Sequence, residues 1–166
     1  MEDLVQIARR EFTELPRQSR HSPARTRNLQ TRFYNDRYFE HQAAFEFLAN
    51  SKQTHGEGPK TLVRALLHYR DTVVIPLANL PRGTTPPESI QRAQLDFAPK
   101  PPSATDRTKA VSIRLHIDKI IEHREVYEFL QRQQRLNGDG NKTVIKALLH
   151  YKATVADALG EDGVLF

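Results

Sequence analysis

The chain contains no cysteine, which removes disulfides, thiolate nucleophiles and cysteine-ligated zinc from consideration. It has no apolar run near the roughly 18 to 20 residues that a membrane-spanning helix needs. Its opening segment, MEDLVQIARREF, is charged throughout where a secretory signal would be apolar. These absences predict a soluble, cytoplasmic chain with no membrane partner. The sequence offers no nucleophile beside a base, no carboxylates placed to shift each other's pKa, and no phosphate-binding glycine loop of the G-x-x-x-x-G-K-S/T kind. Neither an enzyme nor a cofactor is expected.

What is present is basic and repetitive. Lys and Arg number 25 against 20 Asp and Glu, a formal net charge of +5, which favours a polyanionic partner. The 166 residues fit one ordinary domain or two very small ones. KTLVRALLHY at 60–69 returns as KTVIKALLHY at 142–151, an offset of 82. Residues 32–73 align with 114–155 at that offset without a gap, and 18 of the 42 paired positions are identical. The period is too long and the copies too few for a solenoid, so the halves are expected to bury their apolar faces against each other.

Each copy reads as one strand and two helices. In VSIRLHI, Val111, Ile113, Leu115 and Ile117 alternate with Ser112, Arg114 and His116, the pattern of a half-buried strand. Asp118 is placed to cap the next segment, where Ile120, Ile121, Val126, Tyr127 and Leu130 form a helical stripe up to about residue 134. Tyr38, Phe39, Phe45 and Leu48 match it in the first copy. HGEG or NGDG then breaks the chain, and Pro59 suits the first turn of the next helix. That helix is expected to bury Leu62, Leu66, Tyr69 and Val73, or Val144, Leu148, Tyr151 and Val155. The fold class expected is mainly α with one two-stranded antiparallel ribbon, because a lone strand needs a partner and the equivalent strand is the nearest one.

Strand SIRLH, a first helix, a glycine-containing turn and second helix NKTVIKALLHY together resemble the ribbon-helix-helix (MetJ/Arc-like) DNA-binding family over about two-thirds of the chain. The arrangement is similar to its tandem single-chain members, the TraY-type conjugation accessory and plasmid partition proteins, in which one chain forms an intramolecular pseudo-dimer. The resemblance implies that outward side chains of the ribbon enter the DNA major groove. These would be Gln30, Arg32 and Tyr34 from the first copy and Ser112, Arg114 and His116 from the second; a solvated polar strand face is the plainer alternative. It implies as well that the start of each second helix holds phosphate, through Lys60 and Thr61 and through Asn141, Lys142 and Thr143. Gly58 and Asn141 could equally serve as simple helix caps.

The flanks give the remaining boundaries: an N-terminal helix and basic arm at 1–27, repeat 1 at 28–75, a linker at 76–108 with seven of the ten prolines, repeat 2 at 109–157 and a tail at 158–166. Arg17, Arg20, Arg25 and Arg27 in the arm are placed to follow phosphates or enter a minor groove, although a solubilising tail fits the same composition. About 30 flexible linker residues would let the halves assemble. NGDGN at 137–141 resembles the opening of a calcium loop, but Lys142 and Leu148 stand where that loop needs glycine and glutamate. His68 and His150 suit the surface or a contact between halves better than a metal. His41 and His123 each follow a glutamate, and neighbours in sequence point to different sides of a helix.

The function expected is sequence-specific double-stranded DNA binding by an accessory or scaffold factor of plasmid or mobile-element transfer or partition, with repression of its own operon. That setting is bacterial, nucleoid- or plasmid-associated. Further copies bound head to tail on repeated sites and a protein of the transfer or partition machinery are the partners implied. The rivals are a chromosomal repressor and a protein-interaction module without specific DNA binding.

Overall fold

The computed structural model describes residues 11–15, 25–55, 58–101, 107–137 and 140–157. Period-two alternation produces β1 (Arg27–Tyr34) and β2 (Thr108–Leu115), paired antiparallel over their whole length. Thr31, Phe33, Ile113 and Leu115 are buried beneath this two-stranded sheet, with Leu29 and Val111 half-buried beside them. The register sets Gln30 opposite Ser112, and these two residues are also counterparts at the offset of 82. Strand β2 ends two residues earlier than its alternation suggests. The His116 N–H turns away to the Nδ1 of His123 at 3.0 Å, and Ile117 is buried in the turn that follows.

Helices α1 (Phe39–His55) and α2 (Gly58–Tyr69) follow β1. Beyond α2 the chain widens into a π-type turn, Arg70–Val74, and one last helical turn, Ile75–Ala78. A short α3 (Glu88–Ala93) precedes β2, and α4 (Ile121–Asn137) and α5 (Gly140–Tyr151) follow it, with a second π-type turn at Lys152–Ala156. At both π-type turns a threonine hydroxyl reaches back to the carbonyl four residues earlier: Thr72 to His68 and Thr154 to His150, each at 2.7 Å. Such back-bonding loosens the ladder locally.

Helices α2 and α5 pack on each other in the middle of the molecule, flanked by α1 and α4. The expected apolar set on them is buried in full: Leu62, Leu66, Tyr69, Val73, Val144, Leu148, Tyr151 and Val155. Burial extends further round α2 than one stripe, to Thr61, Arg64 and His68. His68 and His150 therefore do not lie at the surface; their rings stack across the α2/α5 contact at 5.1 Å. On α1, Phe39 points outward and is 51% exposed. Phe97 takes the inward place instead, meeting the rings of His41 at 4.9 Å and Tyr38 at 6.1 Å.

That contact changes the reading of 76–108. Its described part is not a free linker: α3 buries Ile90, and the strand-like stretch after it docks on the start of α1. Ala98 donates its N–H to the Glu40 carboxylate at 2.8 Å and accepts the Phe39 N–H at 3.3 Å, while the Lys100 N–H reaches the Arg37 carbonyl at 2.8 Å. Residues 11–15 dock on the start of α4 in the same manner. Thr13 donates to the Glu122 carboxylate at 2.8 Å and accepts the Ile121 N–H at 2.9 Å, and Phe12 meets the His123 ring edge-on at 5.5 Å. The two arms share a sequence signature, VQIARREF at 5–12 and IQRAQLDF at 90–97. Each arm precedes one strand and packs against the helix that follows the other.

Candidate nucleic-acid interface

The ribbon's outer face is built by the same alternation that buries its inner face. Gln30, Arg32, Ser112 and Arg114 are exposed on it, with Tyr34 and His116 half-buried at its two ends. Five of the six residues expected to read bases therefore share one face of the ribbon, and His116 follows directly after the end of β2. The register adds three that the motif reading omitted. Asn28 lies opposite Arg114, Ala110 opposite Arg32 and Thr108 opposite Tyr34, all exposed. The signal for them was the same alternation continued toward the N-terminus of each strand.

The ends of the ribbon are fixed by helix histidines. The Tyr34 N–H donates to His41 Nδ1 at 3.0 Å, the counterpart of the His116 to His123 bond. An accepting Nδ1 requires the unprotonated form at that atom. Burial, followed by the nearby His116, lowers the pKa of His123 and favours this state. Tyr34 also carries the Arg37 guanidinium 5.2 Å from its ring centroid.

The residues expected to hold phosphate stand at the starts of α2 and α5 in different surroundings. Thr61 and Thr143 are buried. Lys60 is exposed at the start of α2. At the start of α5 the Lys142 ammonium lies 3.5 Å from the Asp96 carboxylate and 5.8 Å over the Phe97 ring. Asn141 is used neither as a cap nor as a free surface amide. Its Oδ1 accepts the Arg32 N–H at 2.8 Å and its Nδ2 donates to the Arg32 carbonyl at 3.0 Å. At the start of the same helix the Gln134 side-chain oxygen accepts the Gly140 N–H at 2.8 Å. Gln30, Arg32, Tyr34, Phe97, Asn141 and Lys142 line an open groove of about 610 Å³ beside the ribbon.

Of the basic arm, Arg17 and Arg20 lie outside the described residues, as do residues 1–10, 158–166 and the centre of NGDGN. Arg25 is tied to the protein: its backbone N–H, Nε and Nη2 all reach the Asp118 carboxylate, at 2.8, 3.0 and 3.2 Å. These hydrogen bonds hold Asp118 below the usual carboxylate range, and they replace the capping role expected of it. Arg27 opens β1, exposed, with its guanidinium 6.0 Å from the Tyr127 ring centroid.

Among the described residues no group of histidines and carboxylates is arranged to hold a metal ion, and no helix is long and apolar enough to cross a membrane. No protein-family model, curated protein or solved structure matches the chain.

Proposed function

We propose that this chain is a tandem ribbon-helix-helix protein whose halves act as an intramolecular pseudo-dimer, inserting the β1/β2 ribbon into the DNA major groove. The observation that carries the reading is the register. Gln30 faces its own counterpart Ser112, so the strands pair about the point where a two-fold relation between the copies would pass. The crossed arms and the paired histidine contacts at the strand ends repeat on both sides of that point. Such a relation suits two adjacent half-sites on a duplex.

The chemistry of the outer face fits base reading. Arginine can make two hydrogen bonds to guanine, Asn and Gln can do so with adenine, and an alanine methyl can meet the thymine methyl. Asn28, Gln30 and Tyr34 differ from their counterparts Ala110, Ser112 and His116, so the preferred site is asymmetric. Lys60 and Lys142, at the starts of α2 and α5, are the phosphate contacts in this reading. Within it, an accessory or scaffold role at a plasmid transfer or partition locus, with repression of its own operon, rests on the family resemblance alone.

Selection of bound duplexes from a random pool at near-physiological salt tests the reading. The wild type should enrich an asymmetric motif, and an Arg32→Ala/Arg114→Ala variant should blur it by roughly 1–3 kcal/mol of discrimination per arginine. Lys60→Ala/Lys142→Ala should weaken binding evenly across sequences and flatten its salt dependence. No enrichment by the wild type would overturn DNA recognition and leave a protein-interaction module as the better account.

A further inference from the structure

The outer edge of β1 is not equivalent to that of β2. Arg32 points its backbone N–H and C=O away from the partner strand, as Tyr34 does two residues later. An exposed edge of this kind normally faces water. Here the Asn141 amide satisfies both groups at once, with bonds of 2.8 and 3.0 Å. The pattern is that of a neighbouring strand exchanging two hydrogen bonds with one residue. It fixes the backbone of Arg32 on both sides of its Cα, and therefore the direction in which the side chain leaves the ribbon.

Asn141 is also the residue before Lys142 at the start of α5, and both lie with Arg32 on the wall of one groove. The bond thus joins a base-reading position to a phosphate-holding position through a single side chain. The counterpart of Asn141 in the first copy is Pro59. Proline has no side-chain amide and cannot make the equivalent clamp on Arg114.

We infer that Asn141 is a positioning residue that makes the half-site under Arg32 the more strictly read of the two, while the half-site under Arg114 is read permissively. The inference rests on the DNA reading above and goes beyond it, because two arginines at equivalent positions would otherwise be expected to discriminate equally. The physical basis is preorganisation: a reading group whose backbone is already fixed loses less freedom on binding and tolerates less displacement by a wrong base.

The test compares wild type, Asn141→Ala and Pro59→Asn in the same random-duplex selection, with amide exchange at Arg32 followed in the free protein. Asn141→Ala should flatten the motif in one half only, lowering discrimination there by about three- to tenfold, the effect of one to two modest hydrogen bonds. Exchange at the Arg32 amide should rise in the same variant. Pro59→Asn should sharpen the other half, a gain that a purely structural role for position 141 would not produce. An Asn141→Ala motif identical to the wild-type motif would overturn the inference and leave the DNA reading standing. A uniform loss across both halves, with no sharpening by Pro59→Asn, would also overturn it. Absence of any motif with the wild type would be a failure of the DNA reading itself.

Discussion

At the scale of single residues, the ribbon separates the side chains that hold the fold from those available to a partner. Phe33 is fully buried and meets Phe45 edge-on at 5.5 Å, whereas Arg32 beside it is exposed. Thr31 is the exception on the inner face. It is fully buried, its hydroxyl has no hydrogen-bond partner, and its counterpart in the second strand is Ile113. A buried hydroxyl without a partner costs about 1–3 kcal/mol of desolvation. Thr31→Val keeps the shape and removes that polar group, so denaturant unfolding should show a gain of about 1 kcal/mol with an unchanged m-value. Loss of stability in that variant would mean that the hydroxyl is satisfied in solution.

At the scale of elements, the contact between α2 and α5 is organised by two histidines. Each threonine hydroxyl at the π-type turns has its single hydrogen committed to a carbonyl, so it can only accept from the facing imidazole. His68 Nε2 therefore donates to Thr154 at 2.9 Å and His150 Nε2 to Thr72 at 2.8 Å. Burial, with the nearby His68 adding to it, lowers the pKa of His150 to about 4. The folded state thus favours neutral His150 while the unfolded chain takes up a proton near the ordinary value of about 6.5. Stability from this group is fully present above that value and is lost as pH falls toward 4, a change on the order of 3 kcal/mol. Melting temperatures measured from pH 7 to pH 4 should fall, and His150→Gln should make the fall shallower. An equally steep fall in the variant would place the acid sensitivity elsewhere. A contact between the halves was one of the two placements open for these histidines in the sequence, but their threonine partners were not legible, because they lie 86 and 78 positions away beyond the facing helix. The strands were legible, since alternation marks Phe33, Ile113 and Leu115 as inward and Arg32 and Arg114 as outward. The arms were partly legible: Phe12 and Phe97 each follow an acidic residue in matching segments, but a proline-rich composition around the second one disguised it. The local sequence around Asn141 signals only a cap or a phosphate ligand, and nothing in it marks a bond to a strand 109 positions away.

At the scale of the whole molecule, the interlocking contacts make each half depend on the other. β1 pairs with β2, the arm before β1 packs on α4, and the arm before β2 packs on α1. A half on its own would leave a strand unpaired and a docking site for an arm empty, and an unpaired strand has no independent stability. The chain passes between the halves through an exposed turn, where the Thr84 N–H reaches the Pro81 carbonyl at 3.1 Å and Gly83 adopts a φ of 80°. A Cβ at Gly83 would meet nothing within 4 Å, so the turn has room around it, and insertions are best tolerated at exposed turns of this kind. A protease site placed there should cut to two fragments that remain together, sedimenting at the mass of the intact 19.1 kDa chain with unchanged circular dichroism. Separated in denaturant and refolded singly, neither fragment should give a folded monomer, and mixing should restore the original particle. A fragment that folds as a stable monomer would show that its strand and core are self-sufficient, and the halves would then be two domains joined by contact instead of one unit built from both.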